Sequence, residues 1–213
     1  MCFSATASFV AGAGLLAVSV VSARRVRHRA EWAFAMIPAL FGVQQLIEGA
    51  IWLSLGDGAL ALNAVLTQTY SVFSQVLWPV YIPVAVLLLE THPRRRQLLV
   101  ALALGGAACS LFLLYYLTRL QVGSVVQGHH ITYVFPHFHE LVATGLYLLG
   151  ACFAPLCSSH RAVRLFGAAA TLALVVTTVF YAAWFISVWC FLAAIMSATV
   201  LLQFPRRPAV LAG

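Results

Sequence analysis

The sequence predicts an all-α fold: one bundle of seven transmembrane helices, with the amino terminus outside and the carboxyl terminus inside. Three observations carry the prediction. Of 213 residues, 63% are hydrophobic and 8% charged, where a soluble domain has roughly a quarter charged, and mean hydropathy reaches +0.98. Apolar runs long enough to cross about 30 Å of hydrocarbon recur along the whole chain. Arginines cluster at every second connection between these runs, the asymmetry that sets orientation in a membrane.

The spans are expected at 8–23, 32–54, 65–89, 97–119, 138–157, 163–182 and 185–204. The first is followed by Arg24, Arg25, Arg27 and Arg29; charge after the apolar run, rather than before it, marks an inserted helix and not a cleaved signal peptide. The second carries Pro38 and the polar motif FGVQQLIEGAIW, and leaves through GDGALALN, which has no arginine. The third contains Pro79 and Pro83 and closes on Arg94, Arg95 and Arg96. The fourth runs into a connection, 120–137, with Arg119 as its only nearby basic residue apart from histidine. The fifth, with Pro155 near its end, meets Arg161 and Arg164, and the seventh meets Arg206 and Arg207. Prolines inside spans free backbone carbonyls and kink the helix, which a bundle tolerates where neighbours satisfy those groups.

Several function classes drop out. The net charge of +7 is all arginine and follows topology, so it does not indicate nucleic acid. Without lysine there is no retinal-type Schiff base, and no phosphate loop or dinucleotide fingerprint appears. The five cysteines, at 2, 109, 152, 157 and 190, form no C-x-x-C pair.

An ionisable group within a span is costly and points to function. Glu48 is the clearest, with Gln44 one turn earlier on the same face and Gln45 beside it. The second concentration is GHHITYVFPHFHE, where His129, His130, His137, His139 and Glu140 crowd the entry to span 5. Topology brings these groups and Cys2 to one end of the bundle, with Ser4, Gln75, Tyr133 and Tyr181, and with Thr67, Gln68, Ser71, Thr177, Thr178, Ser187 and Trp189 from neighbouring spans. An outward-facing polar pocket is expected there. Thiolate, imidazole and carboxylate suit a transition metal, zinc first and copper or iron second. Cys2, Glu48, His129, His130 and His139 are the candidate ligands, and Glu48 and Cys2 the candidate catalytic groups. Adjacent histidines on a strand point to opposite faces, so His129 and His130 need not share an ion.

The motifs MCFSATASF, GVQQLIEGAIW, HHITY, LYLLGACFAPLCSS and FISVWCFLAA together resemble an uncharacterised bacterial family of small seven-helix membrane proteins that open with MCFSA. The resemblance covers nearly the whole chain. It implies a multi-pass protein of the bacterial inner (cytoplasmic) membrane, and that Cys2, Ser4, Gln44, Gln45, Glu48, His129, His130 and Tyr133 belong to the family pattern; it implies no activity. Membrane zinc hydrolases of the ceramidase and adiponectin-receptor type are similar in helix number, but spans 6 and 7 here carry no histidine and no intramembrane Asp is present.

Four functions compete at this stage. A zinc-dependent hydrolase would use Glu48 as general base on a lipid-phase amide or ester. A copper or iron redox protein would use the same ligands, or pair Cys2 with Cys190. A proton-coupled transporter or sensor would use Glu48 and the histidines, although no internal repeat is evident. A structural subunit would use small-residue stretches such as GAGLLA and LGGAAC for close helix approach, in a homo-oligomer or with another membrane protein.

Overall fold

The computed structural model describes residues 4–128, 130–134 and 140–205. Among the described residues six helices are long and apolar enough to cross a membrane: α1 (Ala5–Ala23), α2 (Arg29–Gly56), α3 (Leu60–Leu89), α4 (Pro93–Leu117), α6 (Arg161–Phe180) and α7 (Ala182–Gln203). The expected fifth span is a shorter apolar helix, α5 (Val142–Leu156), about 22 Å at 1.5 Å per residue. Ser4 starts α1 as its N-cap, accepting the Ala7 N–H at 3.2 Å.

A β-hairpin departs from the all-helical expectation. β1 (Gly123–Gln127) and β2 (His130–Val134) pair antiparallel, Gln127 opposite His130. Val125, Val126, Ile131, Tyr133 and Val134 favour the extended state, and Gly128 supplies the turn with φ 63°. Polar side chains of α3 fasten the hairpin. Gln68 donates from Nε2 to the carbonyls of Leu117 and Leu120 and accepts the Val122 N–H at 3.2 Å. Beside it the Thr67 and Ser124 hydroxyls lie 2.8 Å apart, and Ser124 donates to Asn63 at 3.0 Å.

The prolines act where the helices change pitch. In α3 a π-helical turn, Val72–Leu77, directly precedes Trp78 and Pro79; in α5 another, Leu149–Phe153, precedes Pro155. Carbonyls released in the first turn find side-chain donors: Tyr147 bonds Ser74 O and Ser110 bonds Val76 O, each at 2.7 Å. Pro83 has no N–H for the carbonyl four residues earlier, that of Pro79. Gly106 of α4 and Gly150 of α5 both come against this carbonyl so closely that a Cβ at either would overlap it.

The main core gathers Phe34, Ile37, Phe41, Trp78, Ile82 and Val86 with residues of α4 to α7. A second cluster lies under the hairpin, where Ile131 and Tyr133 meet Ile51, Tyr70, Leu117 and Cys190. At the opposite, arginine-rich end, arginines cap helix termini. Arg25 donates to Phe204 O at 2.9 Å, Arg95 to Ser158 O at 2.7 Å, Arg96 to Leu87 O at 3.2 Å and Arg164 to Ser159 O at 2.8 Å.

Candidate functional site

Glu48, Gln44 and Gln45 are all 0% exposed. Their places on α2 follow from its period: 44 and 48 are one turn apart, and around the helix Glu48 falls between the two glutamines, about 40° from Gln44 and about 60° from Gln45. Glu48 Oε1 accepts from Ser187 of α7 at 2.6 Å and from Tyr133 of β2 at 3.4 Å. Tyr70 of α3 stacks on Tyr133, ring centroids 4.6 Å apart and 7° from parallel, so the phenol is held in place from the side. Gln44 Oε1 accepts the Trp78 indole N–H at 2.9 Å, and the Trp78 ring is itself stacked on Phe41 at 3.8 Å. That bond fixes which way the Gln44 amide faces.

Four polar atoms of this cluster lack a close, well-aligned hydrogen bond: Glu48 Oε2, Gln44 Nε2 and both Nε2 and Oε1 of Gln45; Gln45 and Tyr70 nevertheless stand near enough to interact with the Glu48 carboxylate, and Gln44 with the Cys190 thiol. Buried polar groups are normally paired, and an orphan costs roughly 1–3 kcal/mol. Here the shortfall is concentrated on one face of α2, and among the described residues no basic side chain is bonded to the carboxylate.

A cavity of about 670 Å³ adjoins the cluster, between α4, α5, β2 and α7. Ser187, Tyr133 and Cys190 belong to its wall, so the two hydroxyls that bond Glu48 separate the carboxylate from the cavity. Gln75, in the π-helical turn of α3, lines it too, as does Ser74. Turns of this kind recur at functional sites because they rotate side chains off the regular helical face.

The expected site residues divide into three groups. Glu48, Gln44, Gln45 and Tyr133 lie together, and Gln75 lines the adjacent cavity. Ser4 is an exposed helix cap, while His130 and Tyr181 form a ring contact at 5.8 Å, with His130 also 4.5 Å from Trp184. Side chains alternate along β2, so His130 and Tyr133 leave opposite faces of the strand. Cys2, His129, His137 and His139 lie outside the described residues. Among the described residues, no three His, Cys, Asp or Glu side chains are grouped to hold a metal ion.

Sequence reasoning passed over Tyr70 and Trp78. Trp78 carried a signal: it lies in mid-span, not at a span end where an aromatic belt would explain it. Tyr70 carried none that separates it from core aromatics.

A family profile matches residues 1–212 and is described as "Family of unknown function (DUF6629)". The chain belongs to that family. The match spans the whole bundle, consistent with the uncharacterised family that the motifs suggested. No curated protein and no solved structure matches the chain.

Proposed function

We propose that this member of the family is a membrane protein that binds a small amphiphile taken from the lipid phase. The apolar body occupies the cavity between α4, α5, β2 and α7, and the polar end reaches toward Glu48. One observation carries the reading: Ser187 and Tyr133 are at once wall residues of the cavity and donors to the Glu48 carboxylate. The size also supports it, since ligand pockets run from about 300 to 1,000 Å³ and combine apolar walls with a few polar groups. The arginine pattern orients the bundle with the hairpin end outward, which would place the cavity in the outer half.

The test is photolabelling in lipid nanodiscs with a diazirine-bearing long-chain alcohol, followed by peptide mapping. Labels on α4, α5 and α7 wall residues, competed by unlabelled alcohol, are expected. Labelling spread over lipid-facing residues without competition would overturn the reading.

A metal-dependent hydrolase is the second reading, favoured by Glu48 Oε2, which lacks a close, well-aligned donor and is an oxygen suited to a cation. The remaining ligands would have to come from Cys2, His129 and His139. Purified protein holding zinc, copper or iron in a fixed ratio, lost in Cys2→Ser, would support this reading; protein free of metal would remove it.

A further inference from the structure

The wall of the cavity is aromatic and uncharged in a way that defines what it accepts. Tyr116, Tyr133, Tyr147, Trp184, Phe185 and Trp189 all line it, and no acidic or basic side chain does among the described residues. Several of these rings are fixed against one another: Tyr147 and Trp189 at 5.4 Å, Phe185 and Trp189 at 5.4 Å. Behind Ser187 and Tyr133 stands the Glu48 carboxylate, whose Oε2 lacks a close, well-aligned donor and which no cationic side chain bonds among the described residues. His130, against Trp184, is the basic ring that packs on this wall.

We infer that the cavity binds a lipophilic organic cation, its charged centre set among the six aromatic rings and drawn toward Glu48. This rests on the amphiphile reading above and narrows its ligand to one charge class. Ring faces carry negative quadrupole potential and attract a cation most strongly when both are out of water. A carboxylate in hydrocarbon is costly without a countercharge, and a cation in the cavity supplies one that no side chain bonded to Glu48 among the described residues does. An anionic head would meet the same ring faces and the same carboxylate unfavourably. Among the described residues the wall offers it no arginine.

Three probes of similar shape test the inference: tetraphenylphosphonium, tetraphenylborate and triphenylphosphine oxide, which are cationic, anionic and neutral. Binding is measured by equilibrium dialysis against the full chain in nanodiscs, with empty nanodiscs subtracted. Tetraphenylphosphonium is expected to bind more tightly than tetraphenylborate by about tenfold or more, the scale of one desolvated cation–ring contact. That preference should shrink in Glu48→Gln and, independently, in Trp184→Leu. Equal binding of all three probes, or a preference for the anion, would overturn the cation inference and leave the amphiphile reading standing. Binding of none above empty nanodiscs would overturn both.

Discussion

Replacing Glu90 probes the joint between α3 and the turn that enters α6. Glu90 follows the last residue of α3 and is 1% exposed. Its carboxylate accepts the Ser159 N–H at 2.6 Å, the Ser159 hydroxyl at 2.8 Å, the His92 N–H at 3.0 Å and the Ser158 hydroxyl at 3.5 Å. Burial pushes the carboxyl upward, but the Ser159 and His92 donors, with His160 nearby, outweigh it and lower the pKa from 4.5 to about 2. Glu90→Ala removes both acceptor oxygens and with them all four bonds. The Ser159 hydroxyl is exposed and can turn to water, and the contact of the buried Ser158 hydroxyl is long at 3.5 Å, so the cost is worked from the two backbone N–H groups alone. Bonds to a charged group are worth about 1.5–3 kcal/mol each, and partial hydration of the exposed turn brings the expected loss to about 2–4 kcal/mol. Glu90→Gln keeps one amide oxygen and should lose about half of that. Unfolding in detergent, followed by tryptophan fluorescence, reads both variants against the parent. The pH dependence has a definite sign: because the folded pKa is depressed, the contribution is complete above the ordinary carboxyl value and disappears as pH falls from about 4.5 toward 2. The gap between parent and Glu90→Gln should therefore close over that interval. A Glu90→Ala protein within about 0.5 kcal/mol of the parent at neutral pH, or a gap unchanged down to the acid limit, would refute the reasoning.

Three other substitutions test separate parts of the structure. Gly106→Ala forces a methyl group into the Pro79 carbonyl and should cost about 3 kcal/mol or more, because backbone on both sides must move; a thermal midpoint equal to the parent's would contradict the close approach. Gln68→Leu removes three bonds between α3 and the chain entering the hairpin, so amide exchange in β1 and β2 should accelerate by about tenfold while exchange in α6 stays the same. Tyr133→Phe deletes one long donor to Glu48 and keeps the stack on Tyr70, so stability should change by less than about 1 kcal/mol, whereas Tyr133→Ala should open the cavity toward Glu48 and alter photolabelling.

Most of the helices were legible because burial in lipid writes itself into composition: a span must be apolar over its whole length, and the expected 32–54, 97–119 and 163–182 fall within a few residues of α2, α4 and α6. Glu48 with its two glutamines was legible for the converse reason, since polarity inside such a run is rare. The hairpin was not. Its residues alternate over only five positions per strand, and the histidines drew the same segment toward a metal-binding interpretation. Ser187 was placed at the right end of the bundle, but nothing local marks it as the donor to Glu48; that contact joins residues 139 apart in sequence and depends on how α7 packs against α2. The π-helical turns were equally hidden, since proline marks a disturbance without stating that the preceding turn will widen.

The basic end of the bundle bears on a peculiarity of composition, the absence of lysine. Seen as charge alone, either basic residue would serve to fix insertion in the membrane. The guanidinium groups here do something an ammonium does poorly: from a long, flat head they hook over the exposed carbonyl rims of neighbouring helices, with Arg95 alone reaching both Cys157 O and Ser158 O. A chain with lysine at 95, 96 and 164 would keep its sense of direction in the bilayer and lose its rivets, separating how the protein inserts from how firmly its helix ends are tied together.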